Sequence, residues 1–198
     1  MLCRRLKGGR TGSVMQERTD EALMLAYGEG ETAAFDELYR RHRPRLFRFF
    51  THETANPALG EELYQEAWLR VIRARARYQP TARFSTWLYT VAHSVLMDHF
   101  RKQGRIGRFE ETREELPEAP ACPRREPDAA WAEGITARHL KDCMDQLPVE
   151  QREAFLLKEQ GEFSLDDIAA ITGAGMETVK SRVRYAQRKL RGCLEGLL

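Results

Sequence analysis

The sequence predicts an all-α fold: two small helical domains joined by a flexible linker. Three observations carry that prediction. Apolar residues recur at three- and four-residue intervals through residues 19–103 and again through 129–198, and no alternating strand pattern interrupts them. Between these stretches, residues 104–128 turn to Pro, Glu and Arg, with too few large apolar side chains to build a core. The 198 residues, 42% hydrophobic and 31% charged, suit small helical units with much surface for their volume.

In chain order, residues 1–18 read as a disordered tail in which Met15 offers an alternative start. Thr19-Asp20-Glu21 is a cap with favourable acids, opening a helix that ends near Gly28 or Gly30. A second helix starts near Thr32 and carries Phe35, Leu38, Tyr39, Leu46, Phe49 and Phe50, with Pro44 expected to kink or break it at Arg43. A third runs from Pro57 to about Arg75 with Leu59, Leu63, Ala67 and Val71 inward. The fourth spans Phe84 to about Gln103, burying Phe84, Leu88, Val91, Val95 and His99 or Phe100, with Ser85 or Thr86 available as its cap. After the linker, one helix covers roughly 129–146 and another opens at Pro148. Ser164 and Asp167 form a capping box for a short helix closed by Gly173. The last helix, from about Glu177 to Leu194, turns Val179, Val183, Ala186, Leu190 and Leu194 to one side.

Several classes drop out. No apolar run reaches the ~18 residues of a membrane span, and no apolar stretch follows the basic N-terminus as a signal would require, so a cytoplasmic protein without membrane insertion is expected. Cys3, Cys122, Cys143 and Cys193 are scattered, which supports neither a disulfide framework nor a zinc site. His139 and Cys143 share a helix face but fall short of four ligands, so no metal or cofactor is expected. Ser, His and Asp are dispersed and no Gly-rich phosphate loop occurs, so the chain is not read as an enzyme.

The net charge of +2 hides a strong segregation. Lys141 to Glu177 holds three basic residues against nine acidic ones; Thr178 to Gly192 holds six basic residues and no acid. A second cluster, Arg101, Lys102, Arg105 and Arg108, lies mid-chain. Local basic stripes on a nearly neutral chain suit defined contacts with a polyanion.

Two constellations carry function. Ala169, Gly173 and Val179 supply the small residue, the turn and the branched anchor that helix-turn-helix packing requires. The helix that follows would enter the major groove through Glu177, Thr178, Lys180, Ser181, Arg182, Arg184, Tyr185 and Arg188. In the second constellation, Glu62, Gln65, Glu66 and Leu69 share one helix face. An acidic, amide-bearing face with an exposed apolar residue suits a basic protein partner rather than DNA. The aromatics Phe84, Trp87 and Tyr89 are expected in the core, with stacking on unstacked bases as the alternative, and Tyr78 is the one expected to be exposed.

These constellations, with Glu62-Leu63-Tyr64-Gln65-Glu66, Phe84-Ser85-Thr86-Trp87-Leu88-Tyr89, Leu147-Pro148-Val149-Glu150-Gln151-Arg152 and Glu177-Thr178-Val179-Lys180-Ser181-Arg182 in this order, resemble the extracytoplasmic-function (ECF) class of the sigma-70 family. The resemblance implies a region 2 domain over 19–103 and a region 4 helix-turn-helix domain over 129–198. It implies a sigma factor that binds core RNA polymerase and promoter DNA, with an anti-sigma factor as regulator. By position, Glu62, Gln65, Glu66 and Leu69 would meet the clamp helices of the largest polymerase subunit. Tyr78, Arg83, Ser94, Asp98, Arg101, Lys102 and Arg105 would hold the melted minus-ten strand. Thr178, Lys180, Ser181, Arg182, Arg184, Tyr185 and Arg188 would read the minus-thirty-five element. Ser94 stands where the family often has Asn, and Tyr185 and Gln187 where it often has Arg, which implies departures in base preference. The rival reading is a dimeric helix-turn-helix regulator of a palindromic site; it leaves the acidic face without a purpose.

Overall fold

The structure, a computed structural model, describes residues 17–54, 56–104 and 133–195, with side chains from residue 139 onward in the last stretch. Among the described residues there are helices and no strands. The tail up to residue 16, most of the linker, Arg105, Cys3 and Cys122 lie outside them.

The N-terminal module begins with α1 (Asp20–Gly28), where the Thr19 hydroxyl accepts from the Ala22 amide at 3.2 Å. Gly30, at φ +104°, turns the chain into α2 (Thr32–Glu53). Of the kink or break expected at Pro44, the break does not occur: α2 runs through it for 22 residues. Position 44 faces solvent, so water can serve the carbonyl that Pro44 leaves without a donor. Asn56 caps α3 (Pro57–Ala74) by accepting from the Ala58 amide, with Pro57 in the first turn. Gly60 brings α3 against the end of α2 so closely that a Cβ there would lie 2.9 Å from the Thr54 hydroxyl and 3.1 Å from the Phe50 carbonyl. A 3-10 turn, Arg75–Arg77, leads toward α4 (Phe84–Lys102). Neither Ser85 nor Thr86 caps α4. The Glu21 carboxylate of α1 does so from 63 residues away, accepting from the Phe84 amide at 2.7 Å.

The C-terminal module comprises α5 (Glu133–Asp145), α6 (Val149–Glu159), α7 (Leu165–Thr172) and α8 (Met176–Glu195). Pro148 stands just before α6 rather than inside it. The expected capping box forms in full: Ser164 accepts from the Asp167 amide and Asp167 accepts from the Ser164 amide. Gly173 ends α7 in the left-handed region at φ +67°. A disulfide joins Cys143 of α5 to Cys193 of α8, where scattered, unpaired cysteines were expected. Fifty residues of intervening chain hide this proximity from sequence spacing.

The modules pack against each other, which no local pattern in the sequence announced. α4 packs on α7, and α2 on α6. Tyr89 and Phe163 meet edge to face across the junction, ring centroids 4.9 Å apart. Beside them lies a cleft of about 160 Å³, lined by residues of both modules, including His42, Arg45, Arg83 and Glu162. Phe163 reaches this place because Gly161 lacks a side chain: a Cβ there would fall 2.4 Å from the Phe163 ring.

Candidate nucleic-acid and polymerase interfaces

The acidic face of α3 is built as its spacing requires. Inward, Leu63, Ala67 and Val71 are buried; outward, Glu62 and Gln65 are exposed and Leu69 keeps 45% of its surface in solvent. Leu69 is one of three large exposed hydrophobics among the described residues, with Leu25 and Phe47. A row of carboxylate, amide and bare leucine one turn apart can take cations and an apolar anchor from a helical partner. Glu66 is half-buried and accepts from Arg70 Nε at 3.0 Å.

Arg70 is the residue that sequence reasoning missed. Its other arm donates to the Ser94 hydroxyl at 3.1 Å and to Asp98 Oδ2 at 3.0 Å. One guanidinium therefore joins the acidic face of α3 to the outer face of α4. The four-residue step from Glu66 to Arg70 was a visible signal for the first half of this link; the second half spans 24 to 28 residues and was not. Arg101 closes the group by donating to Asp98 Oδ1 at 3.0 Å, and Lys102 beyond it is exposed.

Two residues expected at the minus-ten strand stand differently. Tyr78 is 7% exposed, not solvent-facing: its ring packs edge-on against Trp87 at 4.9 Å and Phe84 at 6.1 Å. A loop between a 3-10 turn and α4 gave no sign that an aromatic in it would fold back. Phe84 and Tyr89 are core, and Trp87 is half-buried. Arg83, its side chain 63% exposed, donates to Asp167 of α7 at 2.5 Å. Thr86 reaches the other oxygen of the same carboxylate at 3.4 Å. Partial burial works against ionisation of Asp167, but hydrogen bonds from Arg83 and Ser164 prevail and hold its carboxyl down at about 2.

A second cross-module node is fully dry. Glu53 is wholly buried and accepts from Arg152 Nε at 3.2 Å, while Arg152 Nη1 donates to the Met144 carbonyl at 3.4 Å. Burial pushes the Glu53 carboxyl up, to about 8, against the pull of Arg152, and its Oε1 has no hydrogen-bond partner to offset the lost water. Next to it, His93 Nδ1 and Glu153 Oε1 lie 2.8 Å apart.

α8 divides cleanly. Val179, Val183, Ala186 and Leu190 are buried, whereas Lys180, Arg184, Arg188, Lys189 and Arg191 are exposed, and Thr178, Ser181, Arg182 and Tyr185 are half-buried at the boundary. Lys180 pairs with Glu177 at 2.7 Å, Ser181 donates to the Thr178 carbonyl, and the Arg188 guanidinium lies 4.9 Å from the centre of the Tyr185 ring. Behind the αL turn at Gly173, α8 follows α7 in helix-turn-helix order, with a buried apolar stripe and a basic outer face.

The fold is helical, with a helix-turn-helix whose last helix carries a basic outer face and, apart from it, an acidic face on α3. Comparison with known proteins gives the family: Sigma-70 region 2 matches residues 38–106 and Sigma-70, region 4 matches residues 138–190. The RNA polymerase sigma factor CarQ of Myxococcus xanthus is 32% identical over 174 residues, covering 88% of this chain and 97% of that protein. The ECF RNA polymerase sigma factor SigE of Mycolicibacterium smegmatis is 31% identical over 179 residues, covering 90% of this chain and 68% of that protein. Among solved structures, CnrH in complex with the cytosolic domain of CnrY superposes with a TM-score of 0.65 at 18% identity, over 89% of this chain and 97% of CnrH. RpoE in complex with the anti-sigma factor NepR from Bartonella quintana gives 0.63 at 24% identity, over 81% and 96%. The chain belongs to the ECF class of the sigma-70 family. Its function is promoter-specific transcription initiation, directed through RNA polymerase.

Proposed function

We propose that this sigma factor acts by binding alone, in the cytoplasm, with nucleotidyl transfer left to the polymerase. Glu62, Gln65, Glu66 and Leu69 dock on the clamp helices of the largest subunit. Arg83, Ser94, Asp98, Arg101, Lys102 and Arg105 hold the opened minus-ten strand, and the capture of unstacked bases offsets a few kcal/mol of unpairing per base. Tyr78, being buried, supports Trp87 rather than touching DNA. Thr178, Lys180, Ser181, Arg182, Arg184, Tyr185 and Arg188 read the minus-thirty-five element. The observation that carries this reading is α8, with an apolar stripe sealed inward and its cations outward behind the Gly173 turn. Arg83 is paired to Asp167 across the junction, so the modules must part before both promoter elements are read. Since the structurally similar CnrH and RpoE are found with CnrY and NepR, an anti-sigma factor holding the closed form is part of the proposal.

Run-off transcription with purified core polymerase tests it. The wild-type protein should direct specific initiation, and Glu62→Lys with Glu66→Lys should abolish core binding while the helical content stays intact. A protein that ignores core polymerase, or a double variant that binds it as well as wild type, overturns the assignment.

A further inference from the structure

The disulfide between Cys143 and Cys193 links the last turns of α5 and α8, with Cα atoms 6.0 Å apart. The ring it closes encloses α6, α7 and nearly all of α8, the whole helix-turn-helix. Cys143 is 3% exposed and Cys193 half-buried, so Cys193 is the more accessible of the two. These are the only two cysteines among the described residues, where no group of three or more His, Cys, Asp and Glu could hold a metal. The residue after Cys143 matters as much as the bond. Met144 offers its carbonyl to Arg152 at 3.4 Å, and Arg152 in turn holds the buried Glu53 of the other module at 3.2 Å. The disulfide thus fixes the helix end on which the dry cross-module node stands.

We propose that Cys143 and Cys193 form a reversible two-electron redox site that fastens the C-terminal module in its docked position when oxidised and loosens it when reduced. The proposal rests on the reading of this chain as a cytoplasmic sigma factor, because thiols there are kept reduced and a disulfide forms only when the balance shifts. The oxidant class is a hydroperoxide. The more accessible Cys193 thiolate attacks one peroxide oxygen, the O–O bond breaks, and the departing oxygen takes a proton and leaves as an alcohol or water. Cys143, giving up its own proton, then attacks the resulting sulfenic acid and displaces hydroxide, which that proton converts to water. Two thiols have lost two electrons and two protons, and the peroxide has gained both. A dithiol reductant reverses the step by exchange, ending as its own disulfide.

The full-length protein is treated with hydrogen peroxide or with reduced dithiothreitol, alkylated and mapped by mass spectrometry, and amide hydrogen exchange is followed under each condition. A Cys143→Ser, Cys193→Ser double variant is run beside it. The expected result is a Cys143–Cys193 linked peptide only under oxidation, and at least tenfold faster exchange in the peptides carrying Tyr89 and Phe163 after reduction. The double variant should exchange at the fast rate under both conditions; should it lose helicity, the wild-type comparison decides alone. Pairing of either cysteine with Cys3 or Cys122, thiols that stay free under oxidation, or exchange indifferent to redox state would each overturn the proposal. Loss of core polymerase binding would sink the functional reading while leaving this chemistry standing, so the two failures are distinguishable.

Discussion

Glu53→Gln isolates the cost of an ionisable group in the junction. The wild-type carboxyl is wholly buried, has one oxygen without a partner, and is pushed up to about 8. Unfolded, it titrates near its ordinary 4.5. Between those values the folded state holds a proton that the unfolded state has lost. Stability from this group is therefore complete below the unfolded pKa and declines as pH rises through the folded one. The decline is at most about 1.4 kcal/mol per pH unit. Glutamine keeps an oxygen for Arg152 Nε and removes the titration, at a pH-independent cost of about 1–3 kcal/mol for an amide left short of partners. Urea unfolding of both proteins from pH 5 to pH 8 should show a fall with pH in wild type that the variant lacks, with the variant the more stable near pH 8; the contribution of His52, whose pKa burial lowers, is common to both. Parallel curves, with the variant weaker by the same amount throughout, would refute the reasoning and make Glu53 an ordinary charged partner of Arg152.

Three further outcomes are expected. Gly161→Ala should displace Phe163 from Tyr89 and cost about 1–3 kcal/mol by overpacking, read by denaturant unfolding; unchanged stability would mean that the turn yields without strain. Asp167→Asn should leave α7 helical, because asparagine still accepts at the capping box, yet expand the protein in small-angle scattering at low salt. The ion pair lost is exposed on the Arg83 side and therefore screened by salt, so an expansion insensitive to salt would count against it. Arg182→Ala should relax minus-thirty-five preference by roughly 1–3 kcal/mol in promoter competition, whereas equal weakening on every sequence would mark a phosphate contact.

What could be read from the sequence was what neighbours in the chain decide. The Thr19 cap, the Ser164–Asp167 box, the Gly173 turn and the stripe from Val179 to Leu190 are all settled within one or two helical turns. The same is true of the α3 face carrying Glu62, Gln65 and Leu69. What escaped was decided at a distance. Glu21 caps a helix 63 residues on, Arg70 gathers Ser94 and Asp98, and Arg152 holds Glu53 from 99 residues away. Pro44 escaped for another reason: its cost depends on whether solvent can reach the orphaned carbonyl, and periodicity does not weigh that. Tyr78 looked free because loops favour solvent, but an aromatic ring beside Trp87 and Phe84 gains more by joining them.

The Asp167 carboxylate has a double employment. Its Oδ2 atom takes hydrogen bonds from the Ser164 amide and hydroxyl within its own module, and from Arg83 of the other. Pulling the modules apart severs the visitor's bond and leaves the resident ones untouched, so α7 keeps its start whether the chain is folded over or spread along a promoter. The clasp is made from a group already needed for something else. Unfastening it therefore leaves no raw end behind, and the reading helix would reach DNA in the shape it had at rest.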